Sequence, residues 1–169
     1  MKQFSEMQMK VFLDRYALKD AEGKPIEKTP VEMWQRVANA IASVEPEEKR
    51  KFWATEFYNI LHDFKFVPGG RILAGAGTDY EVTLNNCYVI PCPKDSRQGI
   101  FESLAKWVEI MSKGGGVGIN ISSLRPNGAR VYTVNGTSSG AVSWGEVFSD
   151  VTGLVIQGGS RRGAAMICM

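Results

Sequence analysis

An α/β chain with a helical amino-terminal part is the fold that the sequence predicts, and three observations carry it. Glycine is unevenly placed: of 18 glycines in 169 residues only Gly23 precedes residue 66, and all 3 cysteines follow it. Before that point apolar residues recur at helical spacing, and after it short apolar runs alternate with long amphipathic stretches. Strands alternating with helices imply crossover connections and a largely parallel sheet. The boundary is therefore drawn between a helical region, 1–65, and an α/β region, 66–169. A chain of this length buries roughly 70% of its unfolded surface. With 44% apolar and 22% charged residues, it is neither disordered nor fibrous.

The helical region is read in three segments. Residues 7–18 form the first, closed by the turn-forming Asp20-Ala21-Glu22-Gly23-Lys24-Pro25. Thr29-Pro30-Val31-Glu32 is a capping box with proline at the first helical position. Trp34, Val37, Ala38 and Ile41 follow at helical spacing, and Pro46 lies beyond the end. A third helix over 47–64 is predicted to place Phe52, Phe57, Ile60, Leu61 and Phe64 on one side. Nothing in this region suggests catalysis.

The second region opens on a predicted strand over 83–90, ended by Pro91 and Pro93. Asp95 or Ser96 starts a helix to about residue 113, with Ile100, Leu104, Trp107, Val108 and Met111 as its apolar stripe. Residues 117–121 suit a buried strand. Ser143-Trp144-Gly145-Glu146 reads as a second capping box, ahead of Val147, Phe148, Val151, Leu154 and Val155. Gly158-Gly159 ends that helix, and a last strand begins at Ala164. No internal repeat is present.

Composition removes several functions. A net charge of +2 predicts neither nucleic-acid nor membrane binding, and no apolar run approaches a membrane span. An odd number of cysteines fits a reducing cytoplasm better than a disulfide framework. His62, the sole histidine, removes most zinc sites and histidine-based triads, and no metal site is expected. Three glycine clusters, at 69–70, 114–118 and 158–163, suit either tight turns or close backbone approach to a phosphate. No P-loop or complete dinucleotide fingerprint is present. Gln157 to Arg162 reads as a loop that contacts a nucleotide base and phosphates, or as a helix terminus with favourable cations. Cys87 alone reads as a small buried side chain or as a reactive thiol.

Five motifs in order go further. Phe66-Val67-Pro68-Gly69-Gly70-Arg71, Asn85-Asn86-Cys87-Tyr88, Gly114 to Asn120, Leu124-Arg125-Pro126-Asn127-Gly128 and Gln157 to Ala164 together resemble the large-chain family of ribonucleotide reductases. The likeness covers nearly the whole chain and is closest to the adenosylcobalamin-dependent class II enzymes, in their amino-terminal portion. It implies a helical domain followed by the first strands and helices of an α/β barrel, left incomplete in this chain. The implied reaction removes the 2′-hydroxyl of a ribonucleotide through a thiyl radical, and two further cysteines supply the electrons.

By the same resemblance Cys87 is one member of that reducing pair. Asn86, Gly115 and Gly116 match the wall of the substrate site. Asp95, Ser112, Arg125 and Arg130 match the site of a deoxynucleoside triphosphate effector. Gln157 and Arg161 are the substrate-contacting candidates in the loop that transmits effector identity. Cys92 and Cys168 match no family motif. The helices at 98–113 and 143–157 are expected to pair across a homodimer or higher oligomer.

The family's thiyl cysteine, second reducing cysteine, catalytic carboxylate and most of the cobalamin site have no counterpart in these residues. The chain is therefore expected to act as a fragment or split subunit that needs the carboxy-terminal portion, and its apolar terminus at Met169 reads as an interruption. Adenosylcobalamin would serve the complete enzyme, with a thioredoxin-like reductant outside it. The alternative is a noncatalytic deoxynucleotide-binding or dimerisation module.

Overall fold

Thr29 starts a helix as its neighbours dictate: the Glu32 carboxylate turns back to accept the N–H groups of Thr29 and Lys28 at 2.8 and 2.6 Å. This helix belongs to the first of two units in the computed structural model, which describes residues 4–155 and 163–169. The units are Met1–Asn85 and Asn86–Met169.

The first unit holds α1 (Glu6–Arg15), α2 (Pro30–Ala42), α3 (Glu47–Leu61) and α4 (Gly70–Gly75). α2 is central: Met33, Trp34, Val37 and Ala38 are buried with Phe12, Leu61, Leu73 and Ala76. α1 ends before Leu18 because the Leu18 N–H turns to the Glu27 carboxylate, 2.9 Å away. That carboxylate is buried and paired with Arg36 at 2.7 Å. Arg36 also donates to the carbonyls of Tyr16, Leu73 and Ala76. One guanidinium thus ties α2 to the chain on either side of it, and removing one partner would strand a buried charge.

Two expectations for this unit change. The proposed stripe on α3 does not form: Leu61 is buried, whereas Phe52, Ile60 and Phe64 are exposed. At about 100° per residue these five positions spread over half the helix circumference, so one packing face cannot take them all. Glycine content rises at residue 66, but the described contacts divide the chain after Asn85. Leu73 and Ala76 lie in the core of the first unit, so packing keeps the glycine-rich Phe66–Arg71 stretch there.

The second unit is built on three parallel strands, β1 (Cys87–Ile90), β2 (Gly116–Asn120) and β5 (Ala165–Cys168), in the order β1-β2-β5. Cys87 pairs with Gly116, and Asn120 with Cys168. α5 (Arg97–Ser112) joins β1 to β2. A small hairpin, β3 (Arg130–Val131) with β4 (Gly136–Thr137), and α6 (Ala141–Leu154) join β2 to β5. The α5 stripe of Ile100, Leu104, Trp107 and Met111 is buried against Val117, Ile119, Ile121 and Phe148. Trp107 meets Phe148 edge-on at 5.2 Å and donates its indole N–H to Thr152 at 3.0 Å. The sheet is open, so a helical unit is followed by a partial barrel-type unit, as the sequence predicts.

β1 is shorter than predicted because the Asn85 N–H binds the Thr83 hydroxyl at 3.1 Å, a local turn that competes with the ladder. The predicted capping box at Ser143 does not form. α6 starts at Ala141 after Gly140, whose φ of 86° turns the chain. A Cβ on Gly140 would come within 2.7 Å of the Asn127 nitrogen, so glycine is needed there. Ser143 lies inside the helix and donates to the Ser139 carbonyl. The Gly158-Gly159 stop lies outside the described residues.

Candidate functional site

Alternation along the strands sends Tyr88, Ile90, Val117, Ile119 and Ile167 toward the helices, and Cys87, Val89, Gly116, Gly118, Met166 and Cys168 to the other face. On that second face Val89 is 88% and Met166 68% exposed. Cys87, exposed and free of any disulfide, stands at the amino end of β1. Beside it the Gly116 N–H donates to the Asn86 carbonyl at 2.8 Å.

Gly115 and Gly116 lead into β2, and only the second lies against this thiol. A Cβ on Gly115 would lie 2.9 Å from the Tyr88 ring and 2.8 Å from Ile110, so the chain can pass there only without a side chain. On Gly116 a Cβ would meet the Cys87 sulfur at 3.5 Å, in ordinary contact. The structure thus brings Asn86, Cys87, Gly115 and Gly116 together at one end of the sheet. A thiol flanked by bare backbone can be approached by a small polar molecule and can exchange electrons with another thiol.

The carboxyl end of the same strands holds a different arrangement. Asp95 follows β1, Arg125 follows β2, and the Arg125 Nε meets the Asp95 carboxylate at 2.7 Å. The Arg125 backbone N–H reaches the other carboxylate oxygen at 3.3 Å. Both side chains are 37% exposed, so each keeps access to a ligand. They line a cavity of about 860 Å³ with Arg97, Ser138 and residues of the β3–β4 hairpin. That volume is of ligand size.

The remaining candidates fall elsewhere. Ser112 closes α5, a helix of 16 residues that begins at Arg97, two positions after Asp95, so its length puts Ser112 roughly 22 Å from that end. Its hydroxyl donates to the Glu109 carbonyl. The Arg130 guanidinium donates to the Asn135 side chain, and Arg130 is not among the residues lining the cavity. Gln157 and Arg161 lie outside the described residues. Sequence reading missed the hairpin, although Asn135-Gly136 is a turn signal that marks it. It also missed the Asp95–Arg125 ion pair, which joins residues 30 positions apart.

The described residues do not fit the corrin that the resemblance implies. His62 is packed against Trp34 and Tyr58 at 5.5 and 5.4 Å, with Nδ1 3.3 Å from the Asp63 carboxylate. Neither the polar cavity nor the apolar hollow beside Ile90 and Ile110 is lined by Cys87. Among the described residues no cluster of His, Cys, Asp or Glu could hold a metal ion. No described helix is long and apolar enough to cross a membrane.

Comparison with known proteins gives two family matches: "Ribonucleotide reductase, all-alpha domain" over residues 2–81 and "Ribonucleotide reductase, barrel domain" over 85–169. The vitamin B12-dependent ribonucleoside-diphosphate reductase of Mycobacterium tuberculosis (strain CDC 1551 / Oshkosh) is 39% identical over 160 residues, covering 92% of this chain and 22% of that protein. The ribonucleoside-diphosphate reductase subunit alpha of Chlamydia muridarum is 32% identical over 98% of this chain and 15% of its own length. The vitamin B12-dependent reductase of Thermoplasma acidophilum is 31% identical over 94% of this chain and 28% of its own. The chain thus spans between 15% and 28% of the length of these curated relatives.

Proposed function

The chain belongs to the ribonucleotide reductase large-chain family, and on that premise we propose that it forms the helical cap and the first part of the catalytic barrel of a reductase. In the complete enzyme, ribonucleotides become deoxyribonucleotides. Cys87 is one of the two thiols that supply the electrons, and the second thiol comes from the rest of the barrel. The step balances: the C2′–O bond breaks and the oxygen leaves as water. Hydrogen takes its place at C2′, and the two thiols become a disulfide. A radical-bearing cysteine that starts and ends the cycle lies in the same missing portion. An external dithiol then reduces the pair by exchange.

The observation that carries this reading is the exposed Cys87 thiol at the start of β1, paired with Gly116, which puts no side chain against the sulfur. Asn86 and the backbone at Gly115 and Gly116 form the adjoining wall for substrate. Gln157 and Arg161, which lie outside the described residues, would contact its base. Cobalamin, which the B12-dependent relatives imply by name, would be held by the remaining portion and would supply the radical there.

Asp95 and Arg125 bind a deoxynucleoside triphosphate, with the carboxylate on a ribose hydroxyl and the guanidinium on phosphate. Arg130 would join them after releasing Asn135. Ser112 is too far along α5 to reach the same ligand within one chain. Antiparallel pairing of α5 with the α5 of a second copy would carry that copy's Ser112 to Asp95, so the proposed effector site is completed by a homodimer.

The test is reconstitution. Mixing the chain with the carboxy-terminal portion of a B12-dependent reductase, cobalamin and a dithiol should restore deoxynucleotide formation. Cys87→Ala should abolish dithiol-driven turnover, and undiminished multiple turnover in that variant would overturn the role of Cys87. A second reading, a noncatalytic nucleotide-binding module, is favoured by the cavity lined by Asp95 and Arg125 within the second unit. Nucleotide binding by the isolated chain, with no activity on reconstitution, would select it.

A further inference from the structure

The turn between β3 and β4 adds an aromatic ring to the cavity. Tyr132 is 85% exposed and lines its wall. The backbone that carries it is fixed. Arg130 pairs with Thr137 and Val131 with Gly136 across the hairpin. Asn135 adopts a left-handed conformation with φ 49° and donates its N–H to the Tyr132 carbonyl at 3.3 Å. The ladder and this N–H bond brace the turn without the Arg130 side chain, which holds the Asn135 side chain in the absence of ligand, and the ring stays uncovered. Val134, 65% exposed, and Trp144 line the same cavity, as do Arg97 and Arg125.

Such a lining has two chemistries. Two guanidiniums suit an anion, whereas a phenol ring and a valine offer no charge and favour a flat, weakly polar surface. A nucleoside phosphate carries both features in one molecule. We propose that Tyr132 is the base-stacking residue of this cavity, holding the base of a nucleotide whose phosphates meet Arg125 and Arg97. The proposal rests on the reading of the cavity as a deoxynucleoside triphosphate site and names the residue that binds the base there. Stacking on a ring tolerates any base and is stronger for the larger purines.

The test compares three probes on the whole chain: deoxyadenosine triphosphate, deoxythymidine triphosphate and inorganic tripolyphosphate, which has no base. Because Tyr132 is largely exposed, its replacement leaves the core untouched. Tyr132→Ala should weaken the nucleotides by roughly five- to 150-fold, the adenine nucleotide more than the thymine one. It should leave tripolyphosphate binding unchanged, and Tyr132→Phe should retain the affinity of the parent chain. Arg125→Ala should weaken all three probes. Equal weakening of tripolyphosphate by Tyr132→Ala would overturn the stacking role, since the ring would then be shaping the turn. Unchanged nucleotide binding in Tyr132→Ala, with a loss in Arg125→Ala, would also overturn it while leaving the nucleotide site standing. Failure of the parent chain to bind any probe would remove both the site and the role of Tyr132.

Discussion

The two ends of one parallel sheet differ in how much of their chemistry this chain supplies. At the amino end Cys87 stands among bare glycine backbone, with no charged side chain among the sequence-selected residues there. At the carboxyl end Asp95 and Arg125 already pair beside a ligand-sized cavity. The difference follows from the nature of the two tasks. A redox pair needs a second thiol from elsewhere, so one strand can contribute only half of it. An anion site needs cations and donors gathered at loop ends, which two successive strands can provide. The amino end is therefore expected to stay silent until other parts of the enzyme arrive, whereas the carboxyl end, in a homodimer of this chain, should respond to nucleotide without them.

The largest effect that would sharpen this contrast is at Cys87. In the reconstituted enzyme Cys87→Ala should take dithiol-driven turnover to background, while nucleotide binding to the isolated chain stays at the parent value in a titration. Loss of both would break the proposed independence of the two ends.

Next in size is Arg125→Ala. Hydrogen bonds to charged groups contribute about 1.5–3 kcal/mol, so affinity for a deoxynucleoside triphosphate should fall about ten- to hundredfold by calorimetry. Asp95→Asn should act in the opposite sense on tripolyphosphate, because the carboxylate competes with phosphate for the same guanidinium. It should also narrow the preference for a nucleoside triphosphate over tripolyphosphate, since the carboxylate is assigned to the ribose. An unchanged preference would remove Asp95 from the site.

The neighbouring glycines make a finer test. Gly115→Ala forces a methyl to within 2.9 Å of the Tyr88 ring. Overpacking costs about 1–3 kcal/mol, which should lower the Tm of the second unit by roughly 4–24 °C. Gly116→Ala places its methyl in ordinary contact with the Cys87 sulfur, so it should fold normally and slow alkylation of Cys87. Equal melting of the two variants would count against the tight passage at Gly115.

Much of this architecture was legible because its causes are local. Thr29-Pro30 and Glu32 start α2 by contacts within three residues, and the stripe from Ile100 to Met111 needs only helical spacing. Gly140 defeated the capping box at Ser143 because the deciding contact is with Asn127, in another part of the chain. The site was legible to the same degree. Family resemblance selected Cys87, Asp95 and Arg125, and the parallel register explains why the first lies at the opposite end of the sheet from the other two. The separation of Ser112 from Asp95 was already implicit in the length of α5, at 1.5 Å per residue. The Asp95–Arg125 pair and the position of Tyr132 depend on how β1, β2 and the hairpin come together, which no local pattern encodes.

The smallest expected effect lies in the helical unit and gives both ends of the sheet a reference. Hydrogen bonds from the backbone of Lys28 and Thr29 hold the Glu32 carboxyl below its ordinary pKa of 4.5. A carboxyl whose pKa is lowered on folding contributes stability that is present above the unfolded value and lost as pH falls through the folded value. Glu32→Gln keeps an acceptor at the cap but cannot ionise. The variant should therefore be slightly less stable than the parent at pH 7, with the difference fading below about pH 4.5 in denaturant titrations. Since Glu32 lies outside the second unit, nucleotide affinity at pH 7 should be the same in the two proteins. A shift in that affinity would mean that the cap of α2 communicates with the cavity, and the carboxyl end of the sheet could then no longer be treated as self-sufficient.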